Sequence, residues 1–95
     1  MATLLSGQTS NGVGSGSSHT GPCSVFVPED SVFDGAVASV EAYATNTSGK
    51  FVPVGLDGNL DAPGVINVNI LGTYYLRGRV ANAGSATSID MVTTQ

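Results

Sequence analysis

The chain has 95 residues, 41% of them hydrophobic and only 11% charged. Three cations against seven anions give a net charge of −4, so the basic patch that phosphate neutralisation requires is missing and nucleic-acid binding is not expected. A single cysteine excludes an internal disulfide, and no apolar run approaches the ~20 residues of a membrane-spanning helix.

Met1 to Leu5 is too short, and lacks the basic flank, for a secretory signal, so synthesis and retention in a cytoplasm without processing are expected. Ala2 to Ser6 reads as a short strand or an anchoring arm. Gly7 to Gly21 has the Gly/Ser composition of a flexible linker. To be ordered it must lie against something, either its own sheet or another subunit, and the subunit is the favoured support. Cys23 to Val27 reads as a strand with Val25 and Val27 on one face and Phe26 on the other. Pro28 ends its ladder. Ser31 to Asp34 reads as a short strand or turn.

Ala36 to Thr45 alternates most cleanly. Ala36, Ala38, Val40, Ala42 and Ala44 form one face; Val37, Ser39, Glu41, Tyr43 and Thr45 form a more polar one. A helix can also be drawn through these alanines. The period of two and the turn signal at Asn46 to Gly49 favour a strand. Phe51 to Val54 is the return strand, with Pro53 marking an edge or a bulge. Leu56 to Leu60 is a turn-rich crossing. Gly64 to Leu71 sets Ile66, Val68 and Ile70 against Val65, Asn67 and Asn69. Thr73 to Val80 sets Tyr74, Leu76, Gly78 and Val80 against Thr73, Tyr75, Arg77 and Arg79. Ala86 to Thr94 ends the chain with Ile89 and Met91 inward. Turn residues interrupt these runs about every eight to twelve positions, the rhythm of an all-β sandwich. The expected fold is all-β: a single antiparallel β-sandwich, immunoglobulin-like or jelly-roll-like, of seven or eight short strands over residues 22–95. Residues 1–21 are expected to form an extended arm.

Residues that do chemistry are scarce. His19 is the only histidine, and no nucleophile-elbow pattern accompanies it. His19 and Cys23 are four apart, but two ligands do not make a tetrahedral metal site. Asp57-Gly58-Asn59-Leu60-Asp61 begins like a calcium loop and then departs from it, with Ala62 in place of the glycine and Val68 in place of the closing glutamate. A tight turn with side-chain-to-backbone hydrogen bonds is the simpler reading. Gly12, Gly14 and Gly16 lack the lysine and helix of a phosphate cradle. No catalytic, cofactor or metal site is expected, and the chain reads as a non-enzyme. Arg77 and Arg79 project from one strand face and suit a partner's carboxylates. Ser, Thr and Asn (11, 9 and 6 residues) replace charge on the surface, which leaves strand edges few charged gatekeepers and points to life inside an assembly.

Ser39 to Tyr43, Lys50 to Val54 and Gly72 to Val80 resemble, in pattern, the small β-sandwich proteins of tailed-bacteriophage virions. The resemblance covers residues 36–94. Gly72-Thr73-Tyr74 also looks like the tyrosine-corner strand of immunoglobulin-like sandwiches, although the paired cysteines and core tryptophan of antibody domains are absent. The resemblance implies a structural virion protein of the head decoration (cement) type. Its expected place is the capsid surface, its partner the major capsid protein, and its oligomer a trimer at a threefold position. Leu4 and Leu5 of the arm, with Tyr75, Arg77 and Arg79, are the expected contact residues. A tail, fibre or head–tail adaptor module is the alternative, as is a carbohydrate-binding sandwich, for which Tyr43, Phe51 and Tyr75 would form an aromatic patch.

Overall fold

The computed structural model describes residues 2–44, 50–54 and 59–94. Among them are ten strands and no helix: β1 (Thr3–Gln8), β2 (Gly12–Val13), β3 (Ser17–Thr20), β4 (Cys23–Val27), β5 (Val37–Ala44), β6 (Val52–Pro53), β7 (Asn59–Leu60), β8 (Gly64–Val68), β9 (Thr73–Ala81) and β10 (Ile89–Thr93). No helix of the described residues is therefore long and apolar enough to cross a membrane. The first sheet has the order β1-β10-β4-β8. In the second, β9 and β5 form the centre; β2 and β3 follow one another along the outer side of β9, and β6 and β7 along the outer side of β5. All pairings are antiparallel.

The two sheets pack face to face on the inward halves of their alternating strands. From the first come Leu4, Leu5, Cys23, Val25, Val27, Ile66, Val68, Ile89 and Met91. The second contributes Ala38, Val40, Ala42, Tyr74, Leu76 and Val80. Alternation in β4, β5, β8, β9 and β10 follows the expected faces, and the alanine-rich stretch is a strand. Its register with β9 runs unbroken from Val37↔Ala81 to Ala44↔Tyr74. The turn expected at Asn46 to Gly49 lies outside the described residues, as does Asp57 of the aborted calcium loop; Asp61 is exposed.

Residues 2–20 are extended, and they lie on their own sandwich. β1 is an edge of the first sheet; after three residues, Thr9 to Asn11, the chain re-enters as β2 and β3 on the second. Hydrogen bonds fix the leader along its length. The Ala2 amide donates to Thr93 Oγ1 (2.9 Å), Gly7 N to Asp90 Oδ1 (2.7 Å), Gly14 N to the Gly78 carbonyl (2.9 Å) and Gly21 N to the Gly72 carbonyl (2.9 Å); the Asn11 side chain accepts from Ala83 N (2.8 Å).

Two glycines make this crossing possible. A Cβ on Gly14 would collide with the Leu4 backbone. One on Gly78 would stand 2.8 Å from Leu5 Cγ and 2.8 Å from Met91 Sδ, closer than real Cβ atoms approach. Gly78 therefore leaves the hole in the second sheet that two side chains of the first sheet fill. The close neighbours that Gly78 admits are side chains of the protein's own core.

The remaining loops are tied to one another. Val32 and Ser88 exchange backbone hydrogen bonds of 2.8 Å each way. Asp34 Oδ2 accepts from Ala86 N (2.9 Å), and Thr87 Oγ1 donates to the Phe33 carbonyl (2.8 Å).

Candidate functional site

The outward face of the second sheet gathers the residues with binding chemistry. Strands β5 and β9 are its two central rows. Their register sets Tyr43 opposite Tyr75, Glu41 opposite Arg77 and Ser39 opposite Arg79. Period-two alternation then puts Glu41, Tyr43, Tyr75, Arg77 and Arg79 on one surface, because their neighbours in sequence fill the core.

The rings pack on each other. Tyr43 and Tyr75 stack with centroids 4.9 Å apart at 21°. Phe51, just before β6, meets Tyr43 edge-on at 4.7 Å and 86°. The Arg77 guanidinium lies 3.9 Å above the Phe51 ring and donates from Nε to Glu41 Oε1 at 2.7 Å. Arg79 Nε reaches the other oxygen, Oε2, at 3.3 Å. One carboxylate thus serves two guanidinium groups and leaves a positive charge in surplus. Arg77 is largely shielded, whereas the Arg79 side chain is 46% exposed and free to reach outward. Lys50, the remaining cation of the chain, is exposed next to Phe51. All three cations of an acidic protein therefore lie on or beside one aromatic face.

Of the expected contact residues, Tyr75, Arg77 and Arg79 stand together on this surface. Tyr43 and Phe51 complete it. Leu4 and Leu5 do not belong to it: they are 1% and 2% exposed, in the core. β1 contains register shifts between Thr3 and Leu5 and between Leu5 and Gln8, and such a bulge lets two consecutive side chains point inward. Sequence reasoning missed Glu41, whose bridging role becomes visible only once β5 is in register with β9.

His19 and Cys23 do not converge on a metal position. His19 is buried, its Nε2 is 2.6 Å from Ser17 Oγ, and its ring stacks on Tyr74 at 6.0 Å. Cys23 Sγ contacts the Tyr74 hydroxyl at 3.3 Å. Among the described residues no three His, Cys, Asp or Glu side chains are grouped to hold a metal ion. Tyr74 is the centre of this interior cluster. Its hydroxyl donates to the Gly21 carbonyl at 2.5 Å and so pins the β3–β4 turn. A tyrosine corner bonds backbone a few residues upstream; here the hydrogen bond runs instead to the leader, 53 residues away. Burial, then the hydrogen bond with Cys23 and its charge, push the Tyr74 hydroxyl pKa well above the ordinary tyrosine range.

No protein-family model matches this chain, and neither the curated proteins nor the solved structures provide a match to it.

Proposed function

We propose that this chain is a non-catalytic structural protein of a virion, a head decoration module that docks on capsid subunits through the outward face of its second sheet. One observation carries the docking half of this reading: Tyr43, Tyr75, Phe51, Arg77 and Arg79 form a single pre-packed surface. Tyr and Arg are the residues most enriched at energetically dominant contacts, and rings already held by one another lose little freedom on binding. The surplus positive charge suits an acidic patch on the partner. The virion half rests on the sequence pattern of residues 36–94. In this role the protein acts mechanically. Many copies, each bound across adjoining subunits, oppose their separation, and repetition multiplies modest single contacts.

The carbohydrate-binding alternative is served less well by the same geometry. A sugar stacks on an open ring face. Tyr43 and Tyr75 already stack on each other, Phe51 packs perpendicular to Tyr43, and one face of Phe51 lies under Arg77.

The test is co-sedimentation of the purified chain with capsids that lack it, followed by heating. Saturable binding in hundreds of copies and a higher rupture temperature are expected, with both lost in the Arg77→Ala, Arg79→Ala double variant. Equal heat resistance with and without the protein would refute decoration. Binding in a few copies would make it a neck or tail component.

A further inference from the structure

We propose that β8 is a dimerisation edge, along which two copies of this chain join their first sheets antiparallel about a twofold axis. A two-sheet sandwich has four edges, each exposing backbone donors and acceptors to any passing strand, and natural proteins blunt such edges. Three are blunted here. β1 is broken by register shifts. The edge formed by β2 and β3 is interrupted at Gly14 to Gly16, and the opposite edge consists of two two-residue strands, one containing Pro53. β8 is different. Its five residues keep continuous register with β4, from Gly64↔Val27 to Val68↔Cys23, and no strand among the described residues pairs with its outer side. It contains no bulge, no proline and no charge.

Charge selects a second copy as the occupant. Two molecules of net charge −4 repel one another wherever they present their acids. Around β8 they do not: the sequence carries no charged residue from Ala62 to Leu76 and none before Glu29, which takes in β4 as well. A twofold axis at Ile66 sets Gly64 opposite Val68 and Val65 opposite Asn67 of the other copy. Asp61 then falls at the far end from its own twin. An apolar row also leads to this edge. Val92, Phe26 and Val65 are aligned across β10, β4 and β8, and Phe26 and Val65 are 43% and 46% exposed. Pairing at β8 joins the two first sheets into one eight-stranded sheet, in which that row ends against Asn67 of the second copy, itself paired with Ser24. An acidic or basic partner strand would gain nothing from a charge-free edge, whereas an identical copy is self-complementary there.

The inference is independent of the docking reading, because the aromatic face belongs to the other sheet. Sedimentation velocity over a wide concentration range tests it with the full-length chain, its Val65→Lys and Asn67→Lys variants, and the Arg77→Ala, Arg79→Ala variant. Expected is a species of twice the 9.5 kDa chain mass. Each lysine should raise the dimer dissociation constant about tenfold or more, because edge lysines oppose strand addition. Both positions are exposed, so circular dichroism should stay native. The arginine variant should dimerise normally even where it no longer binds capsids. A wild-type chain that stays monomeric at the highest concentration, a trimer in place of a dimer, or a dimer indifferent to both lysines would overturn the proposal.

Discussion

Replacing Tyr74 by Phe removes one hydroxyl and leaves the ring in place, so it isolates the bond that ties the leader to the sandwich. That hydroxyl donates to the Gly21 carbonyl at 2.5 Å and contacts Cys23 Sγ at 3.3 Å, on a residue only 1% exposed. Losing a hydrogen bond and leaving a shielded carbonyl unsatisfied costs about 1–3 kcal/mol. For a domain of this size each kcal/mol lowers Tm by about 4–8 °C. The pH dependence provides a second, independent readout. The folded state holds the Tyr74 proton well above the usual range, whereas the unfolded chain releases it near pH ~10. A group whose folded pKa is raised contributes stability that is intact below the unfolded value and is lost as pH climbs beyond it. The wild type should therefore lose up to about 1.4 kcal/mol per pH unit above pH ~10 through this residue, while Tyr74→Phe loses none through it. Urea denaturation of both proteins from neutral pH to about pH 11 measures the gap between them. It should favour the wild type at neutral pH and narrow by up to about 1.4 kcal/mol by pH ~11. Equal stability at neutral pH, or a gap that stays constant as pH rises, would refute the reasoning.

Leu5→Ala should cost about 2–5 kcal/mol in denaturant titrations, as for any buried leucine, whereas a free arm would leave stability unchanged. Gly78→Ala should destabilise by about 1–3 kcal/mol through overpacking against Leu5 and Met91, although alanine usually improves on glycine in a strand. Combining it with Leu5→Val should restore part of that loss, and a stabilised Gly78→Ala protein by calorimetry would contradict the packing described here.

The sandwich was legible because its longest strands are half-buried and bury every second residue. β5, β8, β9 and β10 each carry that period, and no proline or charge breaks it on the inward side. The leader was not legible, for physical reasons. Gly12 to Thr20 has little apolar content, and its strands are held by pairing with β9, which no local window contains. Leu4-Leu5 violates alternation because of the bulge, so it reads as a sticky tip when it is core. The aromatic face was half legible. Arg77 and Arg79 share a face by spacing alone, and Tyr43, Phe51 and Tyr75 stood out by type. Their convergence on Glu41 depends on the register between strands some 35 residues apart, which spacing does not encode.

The chain's two ends are neighbours in one sheet, Thr3 lying across from Val92. On a ribosome the first strand therefore emerges with nothing to pair with until β10 has been made. Throughout that interval Leu4 and Leu5 are greasy and unclaimed, and in a crowded polysome the nearest acceptor groove can belong to another nascent molecule. Exchange of this strand between chains is the characteristic misassembly of such a topology. The short span Thr9 to Asn11, which links the first strand to the second sheet, sets how far that strand can reach and so how readily the exchange occurs.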